Sequence, residues 1–238
     1  FLSLGSGNWR CLSYQRAAGT RDALTANRTY YVRTDGSNSN NGLANTSGGA
    51  WLTWQYAMDF ISANLDLGAY NITVQIADGT YTGTLQLKSY RCTSGRVTFL
   101  GNPGTPGNVI IDSVASSVSN AAGTQNTFTL NGFEVRSSSG SCFIFIGSGL
   151  LVNFLNIRFG TCAGSYINTS SYAAATSLGS NSVVGNCVVG FWAQSFSLIQ
   201  MAGTTITFLN SPVISARHMN ATEQGYLNIW GMTFTNGG

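Results

Sequence analysis

The 238-residue chain is 8% charged, with eleven Lys and Arg against eight Asp and Glu for a formal charge of +3, whereas an ordinary globular domain carries roughly 25% charged residues. So few charges exclude a helical bundle with solvated faces, and the scattered basic residues form no cluster able to follow a phosphate backbone, so nucleic acid is not an expected partner. No apolar run approaches the roughly 18 residues of a membrane-spanning helix, so no membrane insertion is expected, and no motif calls for a metal or another cofactor.

Abundant Gly, Ser, Thr and Asn between short β-branched and aromatic runs describe many strands joined by tight turns. The first residues, Phe1 to Arg10, lack a basic segment followed by an apolar core, so no export signal is read. An opening Phe1 and a closing Gly237-Gly238 directly after a strand-like run give the expectation of an excised fragment. Residues 1–28 read as the end of a preceding module or linker, 29–70 as an entry strand with a capping helix, and 71–238 as repeated β coils.

The helix is expected near residues 53–64. Trp54, Ala57, Met58 and Ile61 fall at i, i+3, i+4 and i+7, with Thr53 as N-cap, and an amphipathic helix there would cover the open end of a solenoid. Asp35 sits in an oxygen-rich loop, Asp-Gly-Ser-Asn-Ser-Asn-Asn-Gly, that lacks the Glu closing an EF-hand loop, so no metal is assigned to it. Asp78 and Gly79 open Asp-Gly-Thr-Tyr, read as a structural turn in which the carboxylate satisfies local backbone donors.

From residue 99 onward a pattern recurs. Leu130-Asn131-Gly132-Phe133-Glu134-Val135 aligns with Phe154-Leu155-Asn156-Ile157-Arg158-Phe159 and with Val184-Gly185-Asn186-Cys187-Val188-Val189. It continues in Phe208-Leu209-Asn210-Ser211-Pro212-Val213 and Ile229-Trp230-Gly231-Met232-Thr233-Phe234, with a half-match at Phe99-Leu100-Gly101. Gly101, Gly132, Asn156, Asn186, Asn210 and Gly231 are read as left-handed corners, because Gly and Asn adopt that conformation at least cost. Corners about 21 to 31 residues apart match one solenoid coil of three short strands and three turns. Alternation points Phe128, Leu130, Phe133 and Val135 inward, then Val152, Phe154, Ile157 and Phe159. The fold class expected is therefore all-β: a right-handed, single-stranded parallel β-helix with a short N-terminal capping helix. An immunoglobulin-type sandwich is the alternative.

The run Tyr30-Tyr31-Val32-Arg33-Thr34-Asp35-Gly36-Ser37, then Asn41-Gly42 and Gly48-Gly49-Ala50-Trp51-Leu52-Thr53-Trp54-Gln55-Tyr56-Ala57, resembles the entry segment of pectin-lyase-like β-helix proteins, many of them bacteriophage tail spikes and tail fibres. Asp78-Gly79-Thr80-Tyr81 is similar to the first-coil turn of that superfamily, and Trp9 to Arg16 to the tail end of a preceding fibre module. The resemblance implies a homotrimeric segment of the virion, assembled in the bacterial cytoplasm, that binds a bacterial surface polysaccharide. A polysaccharide depolymerase, hydrolase or lyase, is the second expectation, and a purely structural shaft the third, because the fold hosts all of these.

For cleavage, Asp112 and Glu134 are the candidate carboxylate pair, and glycoside hydrolysis needs two carboxyl groups about 5 to 9.5 Å apart. The competing account pairs Glu134 with Arg158, its equivalent one coil later. For binding, Tyr166, Tyr172, Phe191 and Trp192 lie in longer segments between corners and offer aromatic faces to sugar rings, unless some of them cap the core. His218, the single histidine, reads as a loop residue. The five cysteines, Cys11, Cys92, Cys142, Cys162 and Cys187, show no CxxC spacing and are read as small buried hydrophobes rather than as disulfides or ligands, consistent with a reducing place of assembly. Finally, Leu100, Asn131, Leu155, Gly185, Leu209 and Trp230 precede the corners and point outward, a line that would form a subunit interface if it is continuous.

Overall fold

The computed structural model describes residues 2–5, 8–10, 21–147, 149–177, 179–201 and 203–236. The chain is a parallel β-solenoid of about six turns. Its coils run through residues 72–87, 97–120, 127–146, 151–170, 174–194 and 198–222, and each contributes one strand to each of three sheets. The first sheet has eight strands, from Arg28–Val32 and Ile72–Ile76 to Tyr226–Asn228; the second has seven, from Gly79–Thr82 to Thr233–Asn236; the third has six, from Leu85–Leu87 to Ile214–Thr222. Each strand pairs in parallel with its counterpart one coil away, and the expected fold class holds.

Period-2 alternation buries one residue in two along these strands, and in-register pairing places like upon like. In the first sheet Val74, Phe99, Leu130 and Phe154 are successive partners; in the second Tyr81, Ile111, Val135, Phe159, Val183 and Phe208; in the third Phe143, Ile167, Phe191 and Met219. The eight inward residues expected from the repeat, Phe128 to Val135 and Val152 to Phe159, are all buried.

The helix α1 spans Trp54–Asn64, with the Thr53 hydroxyl accepting from the Tyr56 N–H and Trp54, Ala57, Met58 and Ile61 buried. It closes the N-terminal end as its sequence predicts. Gln55 stands in for a strand: its Oε1 accepts from the Gln86 N–H at 2.6 Å, satisfying the edge of the third sheet. Ahead of the helix, Tyr30 stacks on Trp51 at 4.7 Å with Phe60 against both rings. Residues Leu2–Gly5 and Asn8–Arg10 form an antiparallel pair, while Asp22–Ala23 pairs with Leu65–Asp66 and so joins the solenoid body, inside the stretch expected to be linker.

Two sequence expectations are corrected. Asn186 and Asn210 do not lie on the corner occupied by Gly132, Asn156 and Gly231. Both follow a second-sheet strand, Asn181–Val183 and Thr205–Phe208, and precede the third sheet, so the repeat alignment slips by one side of the prism at the fifth and sixth coils. The structural partner of Arg158 is Ser182, not Val188. Gly132, Asn156, Asn210 and Gly231 have φ of 81°, 49°, 58° and 67°, as corners should, but Asn186 and Gly101 are not left-handed. Asn186 instead uses its Oδ1 to accept the Val213 N–H at 2.7 Å. The outward line before the corners is consequently broken: Leu100, Asn131 and Leu155 share one column of the first sheet, Gly185 and Leu209 lie on another side, and Trp230 stands in a turn, 84% exposed.

The second correction concerns sulfur. Cys142 and Cys162 are joined in a disulfide within the core, their Cα atoms 5.7 Å apart. They stand on neighbouring coils, and their separation in sequence of 20 residues hides a contact that only stacking creates. Cys187 is a buried thiol as expected and Cys92 a half-buried one; Cys11 lies outside the described residues.

Two tests follow from this packing. A Cβ at Gly132 would lie 2.5 Å from the Pro103 nitrogen and 2.8 Å from the Asn102 carbonyl carbon at a φ of +81°, whereas Gly123, at +74°, faces open space. Denaturant unfolding of Gly132→Ala is expected to show a loss of more than about 2 kcal/mol, and of Gly123→Ala about 1 kcal/mol. Burial also raises the Cys187 thiol to about 11 and the Tyr81 phenol to about 12 from ordinary values of 9.0 and 10.0, and raises Tyr90 and Tyr166 as well. The unfolded chain releases these protons first, so the folded state binds more of them, and stability falls as pH climbs from 9 toward 12. Unfolding free energy at pH 11 is expected to lie at least about 1.4 kcal/mol below that at pH 8, the value of one pK unit; a flat profile would contradict this burial.

Candidate functional site

The candidate carboxylates share the outer face of the second sheet. Glu134 lies between Ile110 and Arg158 of the adjacent coils, and Asp112 between Thr82 and Arg136. Strand spacing and rise put the two Cα atoms about 8 Å apart, diagonally across neighbouring strands. Glu134 is nevertheless occupied. Arg136 Nε donates to Oε1 at 2.6 Å, and Arg158 Nε sits 2.8 Å from Oε2 in an ionic contact whose N–H is not aimed at the oxygen. The carboxylate side chain is 4% exposed, against 42% and 33% for the arginines. Both oxygens are thus held and neither is presented to a glycosidic bond, and the expected ion pair with Arg158 is present in a more buried form. Asp112 is half-buried beside a shallow hollow lined by Thr84, Ser113 and Ser138.

Asp78 takes a different role from the local turn expected of it. Its carboxylate accepts from Asn102 Nδ2 at 3.0 Å and Asn108 Nδ2 at 3.0 Å, tying the first coil to the loop of the second. Gly79, at φ 149°, passes beside Thr34. Asp35 is engaged by Arg33 through two contacts at 2.8 and 3.1 Å, and that hydrogen-bonded guanidinium holds its carboxyl below the usual range. His218 belongs to a strand, Ile214–Thr222, not a loop, and is exposed with its ring 6.3 Å from Phe208.

The four aromatic candidates separate. Tyr166 is fully buried against Phe159 and Phe191, its hydroxyl donating to the Gly185 carbonyl, and Phe191 is 2% exposed in the same cluster. Both are core residues: Phe191 pairs with Ile167 in the inward column of the third sheet, and Tyr166 lies in the buried first half of the strand Ser165–Ser170. Trp192 and Tyr172 are on the surface.

Trp192 occupies the outer column of the third sheet between Asn168 and Asn220. Its Nε1 donates to Thr222 Oγ1 at 3.1 Å, Gln194 Nε2 donates to Asn168 Oδ1 at 3.1 Å, and Arg217 Nη1 donates to Asn220 Oδ1 at 2.9 Å. These bonds hold an indole and three amides in one half-exposed row. At the end of the row the chain turns toward the first sheet, and the same two-residue left-handed turn recurs in three coils: Ser171-Tyr172 with φ of 54° and 68°, Ser195-Phe196 with 51° and 63°, Glu223-Gln224 with 52° and 63°. The turns are laced by Tyr172 N–H to Ser195 O and Phe196 N–H to Glu223 O, both at 3.3 Å, and Ser195 Oγ donates to Glu223 at 2.6 Å.

Bulky residues rarely adopt positive φ. Here two aromatics do so one above the other, their rings 5.3 Å apart and within 8° of parallel, with Tyr172 60% and Phe196 53% exposed. In the coil before Tyr172 the equivalent position is near Gly147, beside which the space is open. Sequence reasoning found Tyr172 and missed Phe196. The signal was present as Ser-aromatic pairs one coil apart, but both lie at a corner the repeat alignment had not located.

The family models, the curated proteins and the solved structures compared with this chain contain no match to it.

The doubly held carboxylate gives a test. Glu134→Ala leaves two guanidinium groups facing each other without a counter-charge and is expected to lose about 2–4 kcal/mol of unfolding free energy. Arg136→Ala, which leaves Arg158 in place, is expected to lose about 1 kcal/mol. Equal, near-zero losses would mean that the triad contributes nothing to stability.

Proposed function

We propose that this chain is a glycan-binding β-solenoid, a segment of a phage or prophage tail spike or fibre that attaches to a bacterial surface polysaccharide through the outer face of its fourth to sixth coils. The observation that carries the reading is the exposed, mutually stacked pair Tyr172 and Phe196 beside the row of Trp192, Asn168, Gln194 and Asn220. Aromatic faces accept the apolar face of a sugar ring, while amide and hydroxyl groups accept its hydroxyls. A rigid sheet sets these groups on successive coils roughly 4.8 Å apart, so that successive units of an extended polymer each meet an aromatic or amide contact. The pectin-lyase-like entry segment supports the same reading, and assembly as a homotrimer in the virion rests on that resemblance.

Binding without cleavage is the expected activity, since Glu134 is held on both oxygens. Incubation with a panel of capsular and O-antigen polysaccharides, read by binding and by product size, is expected to show at least one ligand recovered at full length. Tyr172→Ala and Trp192→Ala are each expected to weaken that binding about tenfold, near 1.4 kcal/mol, with unfolding nearly unchanged for the exposed Tyr172. Shortened products would establish a depolymerase and replace this reading, and silence across the panel would leave a structural shaft.

A further inference from the structure

The N-terminal end of the solenoid presents three sheet edges, and the described residues cover two. The first sheet is continued by Arg28–Val32, which in turn bridges to Trp51. The third is capped by α1 through Gln55 on Gln86. The second sheet ends at Gly79–Thr82, whose only strand partner among the described residues is Val109–Ser113.

The parity of that pairing fixes which groups are free. The Gly83 N–H donates to the Asp112 carbonyl. In a parallel ladder both peptide groups of alternate residues face the same neighbour. Gly79, Tyr81 and Gly83 therefore face strand Val109–Ser113, and the N–H and C=O of Thr80 and Thr82 face away from it. No hydrogen bond joins these groups to the segment 33–54 that passes over the edge. That segment stands off and leaves a cleft of about 230 Å³ between Thr34 and Thr53 on one side and Thr80 and Thr82 on the other.

Trp54 also lines this cleft, and its Nε1 is buried without a hydrogen-bond partner. The lining carries no Asp, Glu, Lys, Arg or His, and the hydroxyl of Tyr81 is committed to the Ala77 and Val32 carbonyls. An uncharged gap at a strand edge, with two donors and two acceptors alternating two residues apart, is complementary to an extended peptide backbone. The same rule disfavours leaving it empty: free edges with unpaired peptide groups recruit strands.

We infer that strand Gly79–Thr82 is a docking edge for an extended, uncharged polypeptide segment with small or β-branched side chains, which adds to the second sheet as one further strand. The bound segment pairs its backbone with Thr80 and Thr82 and sets its side chains among the threonine hydroxyls. This site lies at the opposite end of the solenoid from the aromatic row, and its occupancy is independent of glycan binding.

The test uses the full chain and the blocked peptide acetyl-Thr-Val-Thr-Val-Thr-amide, with its fully N-methylated form and a neutral oligosaccharide as comparisons. Residue-resolved amide exchange reads the outcome. At millimolar peptide, exchange at the Thr80 and Thr82 amides is expected to slow about tenfold while Tyr81, already bonded within the sheet, stays unchanged. The N-methylated form has no N–H to donate on either edge and is expected to give no protection. Thr82→Pro removes an edge-facing N–H, which an edge strand tolerates, and is expected to abolish protection at Thr80; if that variant does not fold, the N-methylated peptide on the unaltered chain decides the question. Absence of protection, equal protection by the N-methylated peptide, or protection by the oligosaccharide alone would overturn the assignment.

Discussion

Every other feature of this molecule depends on the in-register stacking of one coil on the next. A single coil has an apolar inner face that it cannot bury, and strand pairing at about 4.8 Å brings the equivalent face of its neighbour into contact. The column Leu85, Val118, Phe143, Ile167, Phe191 and Met219 runs through six coils of the third sheet without a polar interruption. Such a column carries no charge, which accounts for a composition with so few Asp, Glu, Lys and Arg. The buried acid Glu134 is paired both along its own strand, with Arg136, and across to the next coil, with Arg158.

The same stacking organises the surface. Outward side chains of successive coils lie beside one another and form ladders: the indole and amides around Trp192, and the stacked rings at the corner of the fourth and fifth coils. Their left-handed backbone is retained because each turn is bonded to the next through its peptide N–H. A ladder of this kind suits a polymer better than a small molecule, since its contacts are shallow, similar and aligned. The buried carboxylate of the second sheet suits chemistry poorly, because Arg136 of its own strand holds one oxygen of Glu134 and Arg158 of the next coil the other.

Stacking also makes the ends of the solenoid special. Within the body each strand has a neighbour on both sides, but at the N-terminal end coverage has to come from elsewhere in the chain. Thr53 starts a helix there, Gln55 imitates a strand, and Trp51 is packed under Tyr30 and Phe60. The end of the prism is three-sided, and among the described residues one side remains without a strand partner, at Thr80 and Thr82.

The sequence by itself determined the class of fold, the helix and its cap, the inward residues of the third and fourth coils, and the pairing of Glu134 with Arg158. Each of these depends on a local period, either 2 for a strand or 3.6 for a helix, or on a repeat between adjacent coils. It did not determine which side of the prism a repeat unit belongs to. The three sides have the same alternation and similar corners, so Asn186 and Asn210 were aligned with Gly132 although they turn a different edge. Nor could it show that Cys142 meets Cys162, that Tyr166 and Phe191 point inward, or that Phe196 completes a pair with Tyr172. Those outcomes depend on the rotation of each strand about the solenoid axis and on bulges that shift register by one residue, and such displacements are settled only when the coils are packed upon one another.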